Sequence, residues 1–223
     1  MKLHDTNEDK EIQAQLNQKD WNEIRANDSW GIFKIMSEFV NGYEAMGRIG
    51  PCVSIFGSAR IKPGDPYYLL AEKIAYKISK AGYGVITGGG PGIMEAANRG
   101  AFEAGDQTIG FNISLPREQH PNPYISPGLS FRFHYFALRK MHFMLRARAI
   151  VAFPGGFGSF DELFEVLTLM QTKKVDRFPV ILVGKAFWTE MVNFKQMIEF
   201  GVIDEADLQV VHFAETAQEA WQF

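Results

Sequence analysis

Glu162 closes the stretch Phe153-Pro154-Gly155-Gly156-Phe157-Gly158-Ser159-Phe160-Asp161-Glu162, in which a carboxylate follows a proline, three glycines and a serine. The apolar run Ala149 to Phe153 before it reads as a strand, and a helical pattern begins at Ser159. Glycines in a strand-to-helix turn let backbone N–H groups approach a ligand. The helix start adds roughly half a positive charge in the same direction, so the turn suits an anion such as phosphate. Glu162 then falls in the first helical turn, beside that anion. The same letters also spell a capping box, with Ser159 as N-cap and Glu162 reaching back from the third helical position, a device without chemistry. Spacing alone leaves both readings open.

Two further glycine turns share the pattern. Gly88-Gly89-Gly90-Pro91-Gly92 follows the short apolar run Gly84 to Thr87 and leads into a helix at Ile93-Met94-Glu95, and Gly57-Ser58 follows the run Cys52 to Phe56. A basic segment runs into the Pro154 turn: no Asp or Glu occurs from Gln119 to Phe160, whereas Arg132, Arg139, Lys140, Arg146 and Arg148 do. If the fold gathers these parts, they line a cleft for a small anion.

The elements that must position these residues follow from periodicity. Residues 1–28 are polar and predict an irregular lead-in. From Trp30 onward Ile32, Ile35, Met36, Phe39, Tyr43 and Met46 recur at helical spacing, a stripe to be buried on the body or on a second subunit. Strands are predicted at Cys52 to Phe56, Gly84 to Thr87, Thr108 to Ile113, Leu129 to His134, Ala149 to Phe153, Pro179 to Val183 and Leu208 to Phe213. Helices are predicted at Pro66 to Ala81, from Ile93, at Tyr135 to Arg148, from Ser159 and at Phe187 to Phe200. On the helix before the Pro154 turn, Leu138, Met141 and Leu145 share one face, and Arg139, His142 and Arg146 another. Pro116 to Pro127 holds four prolines and reads as a long loop. Apolar strands alternating with helices predict an α/β fold, a doubly wound, Rossmann-like parallel sheet. Its ligands bind beyond the carboxyl ends of the strands, where all three glycine turns fall. The expected division is a lead-in and amphipathic helix over 1–50 and a single nucleotide-binding catalytic domain over 51–223.

Several classes are excluded. From Gly88 or Gly90 the G-x-G-x-x-G fingerprint fails at Ile93 or Glu95, and no Gly-Lys-Ser/Thr follows the glycines, so neither a dinucleotide site nor a P-loop is supported. The five histidines, His4, His120, His134, His142 and His212, have no ligand spacing, so no metal site is expected. The net charge of −3 lies in residues 1–50, with six Lys/Arg and nine Asp/Glu, leaving a neutral body that argues against nucleic acid as partner. No apolar run approaches the ~20 residues that span a bilayer. With a single cysteine, Cys52, which reads as a small buried residue, this predicts a cytoplasmic protein without a membrane partner.

Gly88-Gly89-Gly90-Pro91-Gly92-Ile93-Met94-Glu95 together with Pro154 to Glu162 resembles the paired signature of the LONELY GUY (LOG) family, the cytokinin riboside 5′-monophosphate phosphoribohydrolases, often labelled lysine decarboxylases. The resemblance runs from about Pro51 to the C-terminus and is closer to the longer bacterial branch. It implies a Rossmann-like homodimer, or a larger assembly of dimers, that hydrolyses the N-glycosidic bond of an adenine-type nucleoside 5′-monophosphate without a cofactor. By position, the essential arginine and glutamate fall on Arg139 and Glu162, and the neighbouring lysine on Lys140. Gly57, Ser58, Gly89, Gly90, Gly92, Gly155, Gly156, Gly158 and Ser159 would, with Lys140, bind the substrate and its phosphate. The sequence departs from the pattern twice: Ser159 stands for the usual threonine, and Tyr135-Phe136-Ala137-Leu138 stands where plant members have a Met-His pair. A noncatalytic carrier of a nucleotide or phosphorylated cofactor is the alternative, and a carboxylate beside the anion speaks against it.

Overall fold

The structure is a computed structural model and describes residues 24–47, 49–114 and 120–223. The lead-in before Ile24 and the loop segment 115–119 lie outside the described residues. Seven strands form one all-parallel sheet: β1 (Cys52–Phe56), β2 (Gly84–Thr87), β3 (Thr108–Ile113), β4 (Ser130–Phe133), β5 (Ala147–Ala152), β6 (Val180–Val183) and β7 (Val211–Ala214). Their order is β4-β3-β2-β1-β5-β6-β7. The chain winds outward from β1 to β4, crosses back and winds the other way from β5. The direction therefore reverses between β1 and β5, where carboxyl ends diverge and a crevice opens.

The strands read as apolar runs because both faces are covered. On β1, Cys52 and Phe56 join one core with Ile86, Phe111, Phe143, Ile150 and Leu163, while Val53 and Ile55 join the other with Tyr68, Ile74, Ile93 and Val151. That is the period-two alternation of a strand buried on both sides. The second core lies under α2 (Pro66–Lys80) and α3 (Ile93–Ala104). Asp65 caps α2 by accepting from the Tyr67 N–H at 2.8 Å, and Pro66 takes the first position, where its missing N–H costs nothing. On the other face α4 (Phe136–Leu145) is tied down by Ser54, whose hydroxyl donates to the Phe143 carbonyl at 2.9 Å. Cys52 is fully buried at the start of β1, its thiol 3.3 Å from the Gly50 carbonyl, and burial pushes its pKa up to about 12.

Three expectations about element boundaries need correction. The N-terminal helix, α1 (Ile24–Met46), begins earlier than the apolar stripe, so residues 24–28 are helical rather than irregular. Of the stripe, Met46 is buried, whereas Ile32, Ile35, Met36 and Tyr43 are exposed. The expected helix Phe187 to Phe200 is two, α6 (Lys185–Met191) and α7 (Phe194–Glu199). Val192 is extended and Asn193 caps the second, accepting from the Gln196 N–H at 3.0 Å. Residues 205–210 form a 3-10 helix, with Asp204 and Asp207 as a capping box, so the last strand starts only at Val211 and is followed by α8 (Ala217–Gln222). Of the two faces of α4, which spacing left equivalent, the Arg139/His142 face is the buried one, while Met141 is exposed.

Candidate functional site

The three glycine turns meet at the crevice. Ser58, just past β1, donates its N–H to the Pro154 carbonyl at 3.0 Å and accepts from the Ile93 N–H at 3.1 Å, so the middle turn is bonded to both others. Gly57 packs against Ile93, 2.7 Å from where its Cβ would stand, and Gly92, at φ 72°, lies against the Ser58 carbonyl. Any side chain at either position would push the turns apart. Gly89 also has φ 72°, and its N–H donates to Thr87 Oγ1 at 2.9 Å.

A buried polar network fixes the Gly88–Gly92 turn from behind. Asn98 accepts from the Thr87 hydroxyl at 2.6 Å and donates to Thr108 Oγ1 at 2.6 Å. Asn122, from the described part of the proline-rich loop, donates its backbone N–H to the Gly89 carbonyl at 2.9 Å and its Nδ2 to Gly90 O and Asn98 Oδ1 at 3.1 and 2.8 Å. Sequence reasoning missed both asparagines. The placement of Asn122 between Pro121 and Pro123 was the available signal, since an asparagine held by two prolines is preset for a backbone-binding turn.

The Pro154 turn differs from the capping-box expectation. Helix α5 (Phe157–Gln171) starts two residues before Ser159 and has Gly156 as N-cap without a side-chain cap bond. Ser159 is therefore the third helical residue and packs over Gly155, while Glu162 stands in the second turn rather than the first. The physical reason is that Gly156 adopts the extended cap conformation, so the helix nucleates three residues before a Ser159 cap would start it. Gly156 and Gly158 have open space where a side chain would project, which leaves the first N–H groups of α5 approachable.

Freed from capping, Glu162 pairs with Arg139. Arg139 Nη2 donates to Glu162 Oε1 at 2.9 Å, with side-chain exposures of only 10% and 12%. The guanidinium lies over the rings of Phe136 and Phe143, at 5.1 and 5.6 Å, and 3.8 Å from where a Cβ on Gly88 would be. One arginine thus connects the glycine turn after β2 with the helix after β5. Burial pushes the Glu162 carboxyl up to about 7, outweighing the opposing pull of Arg139. A void of about 10 Å³ beside it, at the lower limit for one water, leaves little room for solvation. Burial also works against the charge of Arg139, with Glu162 opposing, yet a guanidinium stays protonated at ordinary pH.

The basic segment does not stay together. Lys140 is held by Asp161 at 3.0 Å and Glu165 at 2.5 Å, both on α5, so its ammonium is engaged by carboxylates. Arg146 and Arg148 lie at the amino end of β5, because α4 runs back from the carboxyl ends of the strands and its ten residues cover about 15 Å. Arg146 donates Nε to the Met46 carbonyl at 2.8 Å. Among the described residues no cluster of His, Cys, Asp and Glu could hold a metal ion, and no helix is long and apolar enough to cross a membrane.

A parallel sheet whose switch point carries glycine-rich turns and a buried Arg–Glu pair defines a Rossmann-like α/β protein. A family model described as "Possible lysine decarboxylase" matches residues 94–223, and the chain belongs to that family, the LOG family. Cytokinin riboside 5′-monophosphate phosphoribohydrolase LOG of Oryza sativa subsp. japonica is 28% identical over 168 residues, 73% of this chain and 67% of that protein. Among solved structures, the structural-genomics target TM1055 superposes with a TM-score of 0.61 at 25% identity, covering 77% of this chain and 96% of that one. The molybdenum cofactor carrier protein from Chlamydomonas reinhardtii gives 0.56 at 24% identity, covering 78% and 94%, a likeness of fold. The decarboxylase label would require pyridoxal phosphate on a free lysine, and Lys140 does not fit. Burial lowers its pKa, but the bonds to Glu165 and Asp161 outweigh burial and raise it, holding the proton that Schiff-base formation must remove.

Proposed function

We propose that this protein hydrolyses the N-glycosidic bond of an adenine-type nucleoside 5′-monophosphate, AMP or a cytokinin riboside monophosphate, releasing free base and ribose 5-phosphate. The observation that carries the reading is the buried Glu162, paired with Arg139 beside the glycine turns and titrating near neutrality. Water adds to C1′ as the bond to the base breaks with its electron pair leaving on the base, and positive charge builds on the ribose. A carboxylate under the sugar stabilises that charge, and one with a pKa near 7 can also accept the proton of the attacking water. The N–H groups of the glycine turns and the start of α5, with Ser159, hold the 5′-phosphate and fix the ribose over Glu162. Arg139 is placed to take an anionic oxygen of the substrate or to assist the departing base. A fully buried single thiol suits a reducing, cytoplasmic setting.

The competing reading is a noncatalytic carrier of a phosphorylated ligand, since a molybdenum cofactor carrier protein has the same fold. Incubation with AMP and with N6-isopentenyl-AMP, followed by assay of free base and ribose 5-phosphate, decides between them. Turnover of either supports hydrolysis; saturable binding of both without product overturns it in favour of the carrier.

The protein is also expected to be a homodimer or an assembly of dimers. Outside the contacts of Phe39, Gly42 and Met46 with the body, α1 presents Trp30, Phe33, Met36 and Val40 to solvent, each more than half exposed. A second copy laying the same helix against it would cover that surface twice over. Light scattering at micromolar concentration should give at least twice the 25.2 kDa chain mass, and Phe33→Glu with Val40→Glu should reduce it. A monomeric wild type would refute this.

A further inference from the structure

Arg146 and Arg148, left over from the basic segment, border two cavities at the end of the sheet opposite the glycine turns. The first, about 210 Å³, lies between α2 and α8 over β1, β5 and β6, with Val53, Ile74, Ile78, Val151, Ile181 and Trp221 among its walls. The second, about 310 Å³, lies beside Gly50, Pro51, Leu145 and Arg146. Tyr83 and Arg148 line both, and Lys77 also lines the first. Neither lining includes an aspartate or glutamate. Lys77 donates to Gln218 at 2.6 Å and so ties α2 to α8. Arg148 is exposed and its side chain, among the described residues, makes no hydrogen bond or ion pair.

An apolar chamber whose rim carries cations and a phenol, and no aspartate or glutamate side chain, is complementary to a molecule with an apolar body and a single anionic head. We infer that this end of the sheet is a second small-molecule site, for a short-chain or aryl carboxylate whose head meets Arg148 and Tyr83 while its body fills the chamber. At about 210 Å³ the chamber has room for a short apolar chain. The site is separate from Glu162 and does not depend on the hydrolase reading. Its link to the glycine turns is β5, whose Ala149 and Val151 wall the chamber and which runs on into Pro154.

Octanoate is the probe, titrated calorimetrically into the full chain. Wild type should bind one equivalent per chain. Butyrate, lacking the body, and 1-octanol, lacking the charge, should each bind at least tenfold more weakly. Arg148→Glu, at an exposed position that spares the fold, should weaken octanoate at least tenfold, and Ala220→Phe, which fills the chamber, should abolish binding. Glu162→Gln should bind octanoate as wild type does. Absence of saturable binding to wild type would overturn the inference, as would binding indifferent to both Arg148→Glu and Ala220→Phe, which would report adsorption to the exposed face of α1. A particle mass that falls in Arg148→Glu would assign the chamber to a second copy of the chain and overturn it equally.

Discussion

Glu162→Gln is expected to lower kcat for nucleoside monophosphate hydrolysis by on the order of a hundredfold or more, while substrate binding persists or tightens. The amide keeps the shape of the carboxylate and can still accept from Arg139 at the 2.9 Å now spanned by the ion pair, so the site stays assembled. It loses the negative charge that faces the developing ribosyl cation and the basicity that takes a proton from water. Both losses fall on the transition state. Removing a negative charge near the bound phosphate favours the ground state, which is why KM should hold or fall. A structural role for Glu162 would give the opposite split, with stability altered and kcat intact. Melting temperature measured alongside kcat and KM separates the two, and full turnover by Glu162→Gln would falsify the mechanism.

Arg139→Ala is expected to cost about 10²- to 10³-fold in kcat/KM, and to move the pH dependence as well. In wild type the carboxyl titrates at about 7 because burial raises its pKa and Arg139 restrains the rise. The working form is ionised, so activity should climb roughly tenfold per pH unit on the acid side and level off above neutrality. Without the guanidinium, burial meets less opposition, with Lys140 the remaining cation, and the pKa rises further. The residual activity should therefore level off at a higher pH than in wild type. Arg139→Lys keeps a charge but not the planar fork and should fall between. A pH–rate profile in Arg139→Ala that overlays the wild type after scaling would show that the two side chains are not electrostatically coupled during turnover.

The sheet was legible because its signals are local. Cys52 to Phe56 and Val180 to Val183 are unbroken apolar runs, and the glycines after β1, β2 and β5 mark where they stop. The topology then placed three turns at the carboxyl end of the sheet. What misled were patterns equally local but decided by distant partners. Ser159 and Glu162 fit a capping box in spacing, yet Glu162 is claimed by an arginine 23 residues away and Gly156 starts the helix earlier. The run of cations from Arg132 to Arg148 looked like one patch because sequence does not show that α4 carries its two halves to opposite ends of the sheet. Nor does spacing say which face of α4 turns inward. Arg139 and His142 are polar by composition but buried by what they meet, a carboxylate in one case and the rings of Phe39, Tyr43, Phe111 and Phe133 in the other.

Cys52 offers something of a different kind, a clock. It is the one thiol in the chain, fully buried at the first residue of the central strand, with Gly84 of the neighbouring strand against its sulfur. A thiol whose pKa is pushed up to about 12 forms almost no thiolate while enclosed, so an aromatic disulfide reagent can react only with molecules in which β1 has come away from β2. The rate of labelling, followed against reagent concentration, would count those openings directly. Ligands that grip the carboxyl end of the sheet should slow it by the factor with which they favour the closed form.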